Sequence, residues 1–159
     1  MDEQAKKTAL RGITYGLYVV GVKNNEEVSA STVNWMTQTS FAPPLVVLAT
    51  KAGTTTEEWI DTSKVFSVSV LESGQKDLAI TFFKPQSRVG NKFGDTPFSL
   101  GEETGCPILE DALSWFECKV VDKNTKGDHT IFIGEVIGAG VHRSGKPLGL
   151  SETGMYYGG

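Results

Sequence analysis

The chain has 159 residues, a mass of 17.2 kDa and a formal net charge of −4. One ordinary domain fits this length, which leaves no room for a complete dinucleotide-binding domain beside a separate substrate domain. The acidic balance argues against a nucleic-acid binder, which would normally be basic. Hydrophobic residues make up 39% and charged residues 21%, as in a folded globular protein.

The first half of the chain alternates between helix and strand patterns. Asp2–Arg11 predicts a short helix that stops at Gly12. Ile13–Val22 predicts a strand with both faces covered, because its apolar residues do not alternate. An Asn-rich turn leads into a return strand over Val28–Thr39, and a buried strand follows at Leu45–Thr50.

The second half continues the β-rich pattern. The predicted elements are a helix at Thr54–Thr62, a strand at Val65–Leu71, a helix at Asp77–Phe83, a loop over Lys84–Gly105, and strands at Ala112–Asp122 and Thr130–Val141. About six strands with only two or three short helices predict a small, mainly β barrel. A doubly wound sheet would need a helix after nearly every strand, and the pattern does not supply them.

The cysteines, the histidines and the N-terminal residues exclude further classes of protein. Cys106 and Cys118 are too few and too far apart for a disulfide scaffold or a CxxC site, so we expect both to be structural. Two histidines do not supply a zinc ligand set, and we expect no metal site. With no signal-like apolar segment and no bilayer-length run, we expect a cytoplasmic protein without a membrane or nucleic-acid partner.

The segment Ser29–Pro44 is the first candidate for ligand binding. Asn34 is not a strand former, yet it lies in a strand pattern beside Trp35 and is followed by hydroxyl and amide side chains as far as Ser40. Such donors and acceptors can fix a flat heteroaromatic ligand. The alternative is an exposed polar face of the sheet.

The segment Lys51–Glu58 is the second candidate. A glycine-containing loop runs into a predicted helix, whose first backbone N–H groups suit an anion such as phosphate. The alternative is a capping box between Thr55 and Glu58, with Glu57 and Glu58 repelling an anion. These residues alone do not decide between the two interpretations.

Two further groups of side chains are candidates for ligand contacts. Lys84, Arg88 and Lys92 share one predicted loop of an acidic chain and could collect phosphate charge, or simply form a solvated surface. His129 opens a predicted strand beside Asp128, which suits a ligand-facing donor or proton carrier. A histidine in a turn can equally be an ordinary surface residue.

Taken in order, these segments resemble the flavin reductase-like family of FMN-binding split barrels. The similar stretches run from Leu10 to Tyr157 and include TYGLYVV, STVNWMTQTSFAPPLVVLATKAGTTTEEW, VFSVSVL, FFKPQSRVGNKF and GDHTIFIGEV. The most specific parts are the spacing from Asn34 to Pro43-Pro44 and the Gly127–Thr130 turn. The resemblance implies that residues 1–159 form one Greek-key split barrel, which pairs as a homodimer.

The resemblance also implies a set of site residues. Thr32–Trp35 and Ser40 would line the flavin ring, the loop after Ala49 would border the ribityl-phosphate, and Lys92-Phe93 would lie near the cofactor. His129 is the expected catalytic residue, orienting a nicotinamide or protonating the flavin. The expected cofactor-binding residues are Thr32, Val33, Asn34, Trp35, Ser40, Ala49, Thr50, Lys51, Thr54, Thr56, Lys92 and Phe93.

The function implied by the resemblance is an NAD(P)H:flavin oxidoreductase. The expected cofactor is FMN, with FAD as a possibility, and NAD(P)H serves as a transient co-substrate. Hydride transfer needs the nicotinamide stacked on the flavin, a matter of proximity that requires no Rossmann domain. The expected recipient is a partner monooxygenase or another electron-acceptor protein. The alternatives are an FMN-holding electron carrier with little NAD(P)H activity and a non-enzymatic binding protein, because fold does not settle function.

Overall fold

The computed structural model describes residues 1–159 and is mainly β, with 45% of residues in strands and 18% in helices. The strands are β1 (Tyr18–Asn24), β2 (Glu27–Val33), β3 (Met36–Ser40), β4 (Leu45–Lys51), β5 (Val65–Val70), β6 (Lys92–Phe93), β7 (Thr96–Leu100), β8 (Pro107–Leu109), β9 (Ser114–Asn124) and β10 (His129–Val141). The helices are α1 (Glu3–Arg11), α2 (Thr55–Ser63) and α3 (Lys76–Thr81), and a 3-10 turn covers Leu150–Thr153. The predicted β class with two or three short helices is confirmed.

The main sheet is antiparallel and is split at one place. Its strand order is β2-β1-β5-β9-β10-β4-β3, so β2 and β3 form opposite edges. Only Asn34 and Trp35 separate these two strands along the chain. The sheet must therefore curl until its two edges approach one another, although they do not pair and the barrel stays open.

The single strand predicted over Val28–Thr39 is wrong for the same reason. The chain breaks at Asn34-Trp35, and the residues beyond it pair with β4, with Met36 opposite Leu48. The Trp35 carbonyl accepts from the Ala49 amide at 2.9 Å, which holds the break against β4. Local propensity gave no sign of this change of partner, because both halves are equally strand-like.

Both faces of β1 are covered, as predicted. Val19 belongs to a core cluster under α3 and the 3-10 turn, whereas Val20 and Val22 belong to a second cluster inside the barrel. The barrel cluster also contains Phe66 and Phe132, both without solvent exposure. The two clusters fix the curvature of the sheet by packing it from both sides.

A second, three-stranded sheet of β6, β7 and β8 occupies part of the segment predicted as a loop. The prediction of a loop over Lys84–Gly105 is therefore wrong for β6 and β7, which are short and punctuated by glycine. Ser67 donates to the Pro107 carbonyl at 2.6 Å, and the Leu109 amide donates to Ser69 at 3.0 Å. These bonds attach the small sheet to the polar face of β5.

The helices begin close to the predicted positions, with one correction. Asp2 caps α1 by accepting from the Gln4 and Ala5 amides, and no residue of α1 is buried. Thr54 caps α2 by accepting from the Glu57 amide, so the alternative of a capping box between Thr55 and Glu58 is wrong. None of the helices is long and apolar enough to cross a membrane.

Candidate functional site

A cavity of about 650 Å³ opens where the sheet is split. The end of β2, the end of β4 and the start of β10 form one side of it, and antiparallel pairing places His129 opposite Lys51 and Thr130 opposite Thr50. Nine of the residues expected at the site line this cavity: Thr32, Val33, Asn34, Ala49, Thr50, Lys51, Thr54, Thr56 and His129. Segments distant in sequence thus converge at the break in the barrel.

Buried polar atoms without a partner mark the inner end of the cavity. Asn34 Nδ2 and Thr50 Oγ1 are buried and make no hydrogen bond within the chain, and both residues line the cavity. A buried, unpaired polar atom costs about 1–3 kcal/mol, so such atoms call for a ligand partner. An amide and a hydroxyl are suited to the polar edge of a flat heteroaromatic ring such as a flavin.

The outer end beside α2 carries the positive charge. Lys51 is the only cationic side chain that lines the cavity. In the first turn of α2, the Glu57 amide donates to the Thr54 hydroxyl, and the Gly53 amide just before the helix donates to Glu57 at 3.3 Å. An anion at this end would meet Lys51 beside the first amides of α2.

His129 sits in a hydrogen-bonded chain of three side chains. Its Nδ1 lies 2.8 Å from Asp128 Oδ1, and its Nε2 lies 2.8 Å from the Tyr157 hydroxyl. The hydrogen bond and charge of His129 lower the pKa of Asp128 from its ordinary value. Burial, and secondarily the charge of Asp128, raises the pKa of Tyr157, which therefore keeps its hydrogen at neutral pH.

Four residues expected at the cofactor do not line the cavity. Trp35 lies behind His129, with ring centroids 4.5 Å apart. Ser40 is at the far end of β3, opposite Leu45. Lys92 is exposed on β6, and Phe93 is 1% exposed and stacks on Phe98 at 4.4 Å. Phe93 is therefore a core residue. In sequence, an apolar aromatic residue looks the same whether it packs in the core or contacts a cofactor.

Sequence reasoning missed part of the cavity. The lining residues it did not single out are Leu17, Ser31, Phe83, Pro85, Leu150, Met155, Tyr156 and Tyr157. Lys84 lies between the lining residues Phe83 and Pro85 in sequence, and Arg88 follows three residues later. Neither Lys84 nor Arg88 lines the cavity. The sequence feature that could have identified part of this set is the aromatic pair Tyr156-Tyr157 in a short glycine-rich tail. Two successive large rings are unusual on an exposed surface that binds nothing.

Fold and site together define a split antiparallel barrel with one ligand cavity at the split. Residues 10–159 match the model of the flavin reductase like domain, and the chain belongs to this family. The resemblance drawn from the sequence is thereby confirmed.

Named relatives agree with the family. The chain is 32% identical to the FMN reductase (NADH) SmoA of Agrobacterium fabrum over 94% of this chain and 83% of that protein. The structure of the NADH:FAD oxidoreductase SgcE6 of Streptomyces globisporus, in complex with NAD and FAD fragments, is 31% identical with a TM-score of 0.81. That match covers 94% of this chain and 88% of the other.

A further solved structure extends the comparison. BorF, the flavin reductase component of a bacterial two-component tryptophan halogenase, is 26% identical with a TM-score of 0.81, covering 96% of this chain and 95% of BorF. The chain spans 42% of the length of another relative, a probable flavin reductase of Rhizobium meliloti. This chain thus spans most of the length of some relatives and less than half of the length of another.

Proposed function

We propose that this chain catalyses the NADH-dependent reduction of a flavin, FMN or FAD. The observation that carries the proposal is a cavity at the split of a flavin reductase-like barrel, lined by Asn34 and Thr50, each of which has a buried polar atom without a hydrogen-bond partner in the chain. Relatives named as NADH-dependent FMN and FAD reductases support the same reaction and the same nucleotide.

Different residues of the cavity would bind different parts of the flavin. Asn34 and Thr50 would hold the polar edge of the flavin ring, and Lys51 would pair with its phosphate. A bound flavin supplies the hydride acceptor, so the chain needs no nucleophile of its own. The protein's task is to bind and orient two flat rings, which supplies much of the rate enhancement through proximity.

The proposal is tested by two measurements on the purified protein. FMN and FAD are titrated by flavin fluorescence, and oxidation of NADH and NADPH is then followed with each flavin present. We expect flavin-dependent oxidation that is faster with NADH. A protein that binds flavin tightly and oxidises neither nucleotide would instead be an electron carrier, and one that binds no flavin would be neither.

We also propose that the protein is a homodimer that passes reduced flavin to a partner oxygenase or halogenase. An apolar groove of about 380 Å³ beside β3, lined in part by Met36, Leu45 and Phe116, supports a second copy. Phe41, in the turn between β3 and β4, is 91% exposed and would be covered by such a copy. BorF, as the reductase component of a two-component system, supports the partner.

The assembly has its own test. Sedimentation of the wild type should give twice the monomer mass, and Phe41→Ser should shift the equilibrium toward monomer. A wild-type monomer at high concentration would contradict the homodimer without affecting the proposed reaction.

A cytoplasmic location belongs to the same proposal, because both cysteines are free and the reaction consumes NADH.

A further inference from the structure

Neither ring nitrogen of His129 is free to meet a ligand. Nδ1 bonds to Asp128 and Nε2 bonds to Tyr157, each at 2.8 Å. The imidazole has no other polar atom, and its side chain is only 11% exposed. A substrate in the cavity therefore meets the Tyr157 hydroxyl unless this chain of bonds first breaks.

We propose that the Tyr157 hydroxyl, rather than His129, is the hydrogen-bonding group that this wall presents to the carboxamide of the nicotinamide. Asp128 and His129 then act as positioning residues that hold the hydroxyl in place. This inference rests on the proposed reductase function, because it assigns the contact for its second substrate.

The chemistry of the three groups supports this assignment. A carboxylate at Nδ1 keeps the proton of a neutral imidazole on Nδ1, so Nε2 accepts from the Tyr157 O–H. The Tyr157 oxygen then has lone pairs left to accept from an amide NH₂. When His129 is protonated, Nε2–H donates to the Tyr157 oxygen instead. The phenol hydrogen is then free to donate to the amide carbonyl.

Packing fixes the Tyr157 ring and distinguishes it from its neighbour. Trp35 contacts both rings of the pair, with its centroid 4.5 Å from His129 and 5.3 Å edge-on from Tyr157. Tyr156 is 73% exposed and lies 5.1 Å under the Arg11 guanidinium. Tyr156 lines the cavity as well, so a matched control must come from elsewhere. Tyr15 packs on the core cluster under α3, does not line the cavity and makes no side-chain hydrogen bond, so it is a control of the same residue type.

The experiment compares Tyr157→Phe with Tyr15→Phe in the full chain. Removal of the Tyr157 hydroxyl should lower kcat/KM for NADH by about tenfold or more, since a polar group of the substrate loses its partner. The Kd for FMN should stay within about twofold, as should both quantities in Tyr15→Phe. In flavin-free protein, the His129 Nε2 resonance in a ¹⁵N spectrum should move in Tyr157→Phe only.

Each outcome decides the inference. A smaller loss in kcat/KM for Tyr157→Phe, or an equal loss of FMN affinity, overturns it, because the hydroxyl would then be unused or belong to the flavin. An unmoved Nε2 resonance overturns the hydrogen-bonded chain itself. If the wild type oxidises neither nucleotide, the proposed function fails. NAD⁺ titrated into flavin-free protein then decides, because the wild type should bind it with a shift at Nε2 and Tyr157→Phe should not.

Discussion

The two sides of the cavity are held in place by very different means. The strand wall, formed by Asn34 just after the end of β2 and by the lining residues of β2, β4 and β10, belongs to a sheet of continuous antiparallel pairing over a buried core. The tail wall, formed by Met155, Tyr156 and Tyr157, belongs to no strand. It is held by the Arg11–Tyr156 contact, by the Tyr157–His129 bond and by a 3.5 Å bond from Arg11 to the Gly158 carbonyl.

This difference assigns different tasks to the two walls. A sheet position moves only when register and core move with it, so the strand wall suits a ligand whose ring must be held in one place. A tail fixed by a few side chains opens at low cost, so the tail wall suits a substrate that must enter and leave at each turnover. Changes in the strand wall should alter folding and flavin affinity, and changes in the tail wall should alter turnover.

The largest expected effect tests the core beneath the strand wall. Phe132 is on β10, is 0% exposed and packs in the barrel cluster, so Phe132→Ala should lower the free energy of unfolding by about 3–5 kcal/mol. Its neighbour Ile131 is 41% exposed, and Ile131→Ala should cost less than about 1 kcal/mol. Urea unfolding of both variants measures the difference. Similar losses of unfolding free energy in the two variants would mean that packing inside the barrel does not stabilise the strand wall.

The next effect concerns the strand wall as a binding surface. Asn34→Ala should weaken flavin binding by about 1–3 kcal/mol, since a buried polar group of the ligand loses its partner. Gln38→Ala is the matched control, because this exposed amide on β3 lies outside the cavity. Fluorescence titration with FMN measures both. Unchanged FMN affinity in Asn34→Ala would remove Asn34 from the flavin site.

A smaller effect tests the tail wall. Arg11→Ala removes the cation–π contact with Tyr156, which at an exposed site contributes about 0.5–1 kcal/mol. We expect KM for NADH to rise by about two- to fivefold from that energy, with stability and FMN affinity unchanged. Lys7→Ala, on the same helix, is the control. A loss of stability comparable to that of Phe132→Ala would mean that the tail is part of the folded framework.

The smallest effect is a pH dependence at the junction of the two walls. The folded state lowers the pKa of Asp128 through its bond to His129, so the carboxylate stabilises the fold above its unfolded pKa. This contribution is lost as the pH falls through the lowered pKa of Asp128 in the folded state. Asp128→Asn should therefore have a slightly lower Tm than wild type at neutral pH, and the difference should shrink below about pH 4.

A control separates this junction from general surface charge. Asp95→Asn removes an exposed carboxylate that makes no hydrogen bond, and its Tm should follow that of the wild type at every pH. If Asp128→Asn and Asp95→Asn behave alike, the bond between Asp128 and His129 does not contribute to folding.

Local patterns predicted the elements where one physical signal dominated. The alternation of Val65–Leu71 gave β5, and the helix pattern that stops at Gly12 gave α1, each nearly to the residue. Lys92 and Phe93 lie outside the cavity, which the sequence did not reveal because a buried aromatic and a ligand-stacking aromatic look the same in sequence. Ser40 also lies outside it, because its position depends on which strand β3 pairs with, and a pairing partner is not a local property.

By itself, the sequence determined the β class, the unusual polar residue Asn34 within a strand pattern, the loop into α2 and the placement of His129 at the start of a strand. These follow from short-range propensities, turn chemistry and capping. Only the tertiary structure decided that β2 and β3 form opposite edges of one curled sheet, which creates the cavity between them. It also decided that Tyr157 meets His129 across 28 residues, because contacts over such separations depend on how the core closes and not on any local pattern.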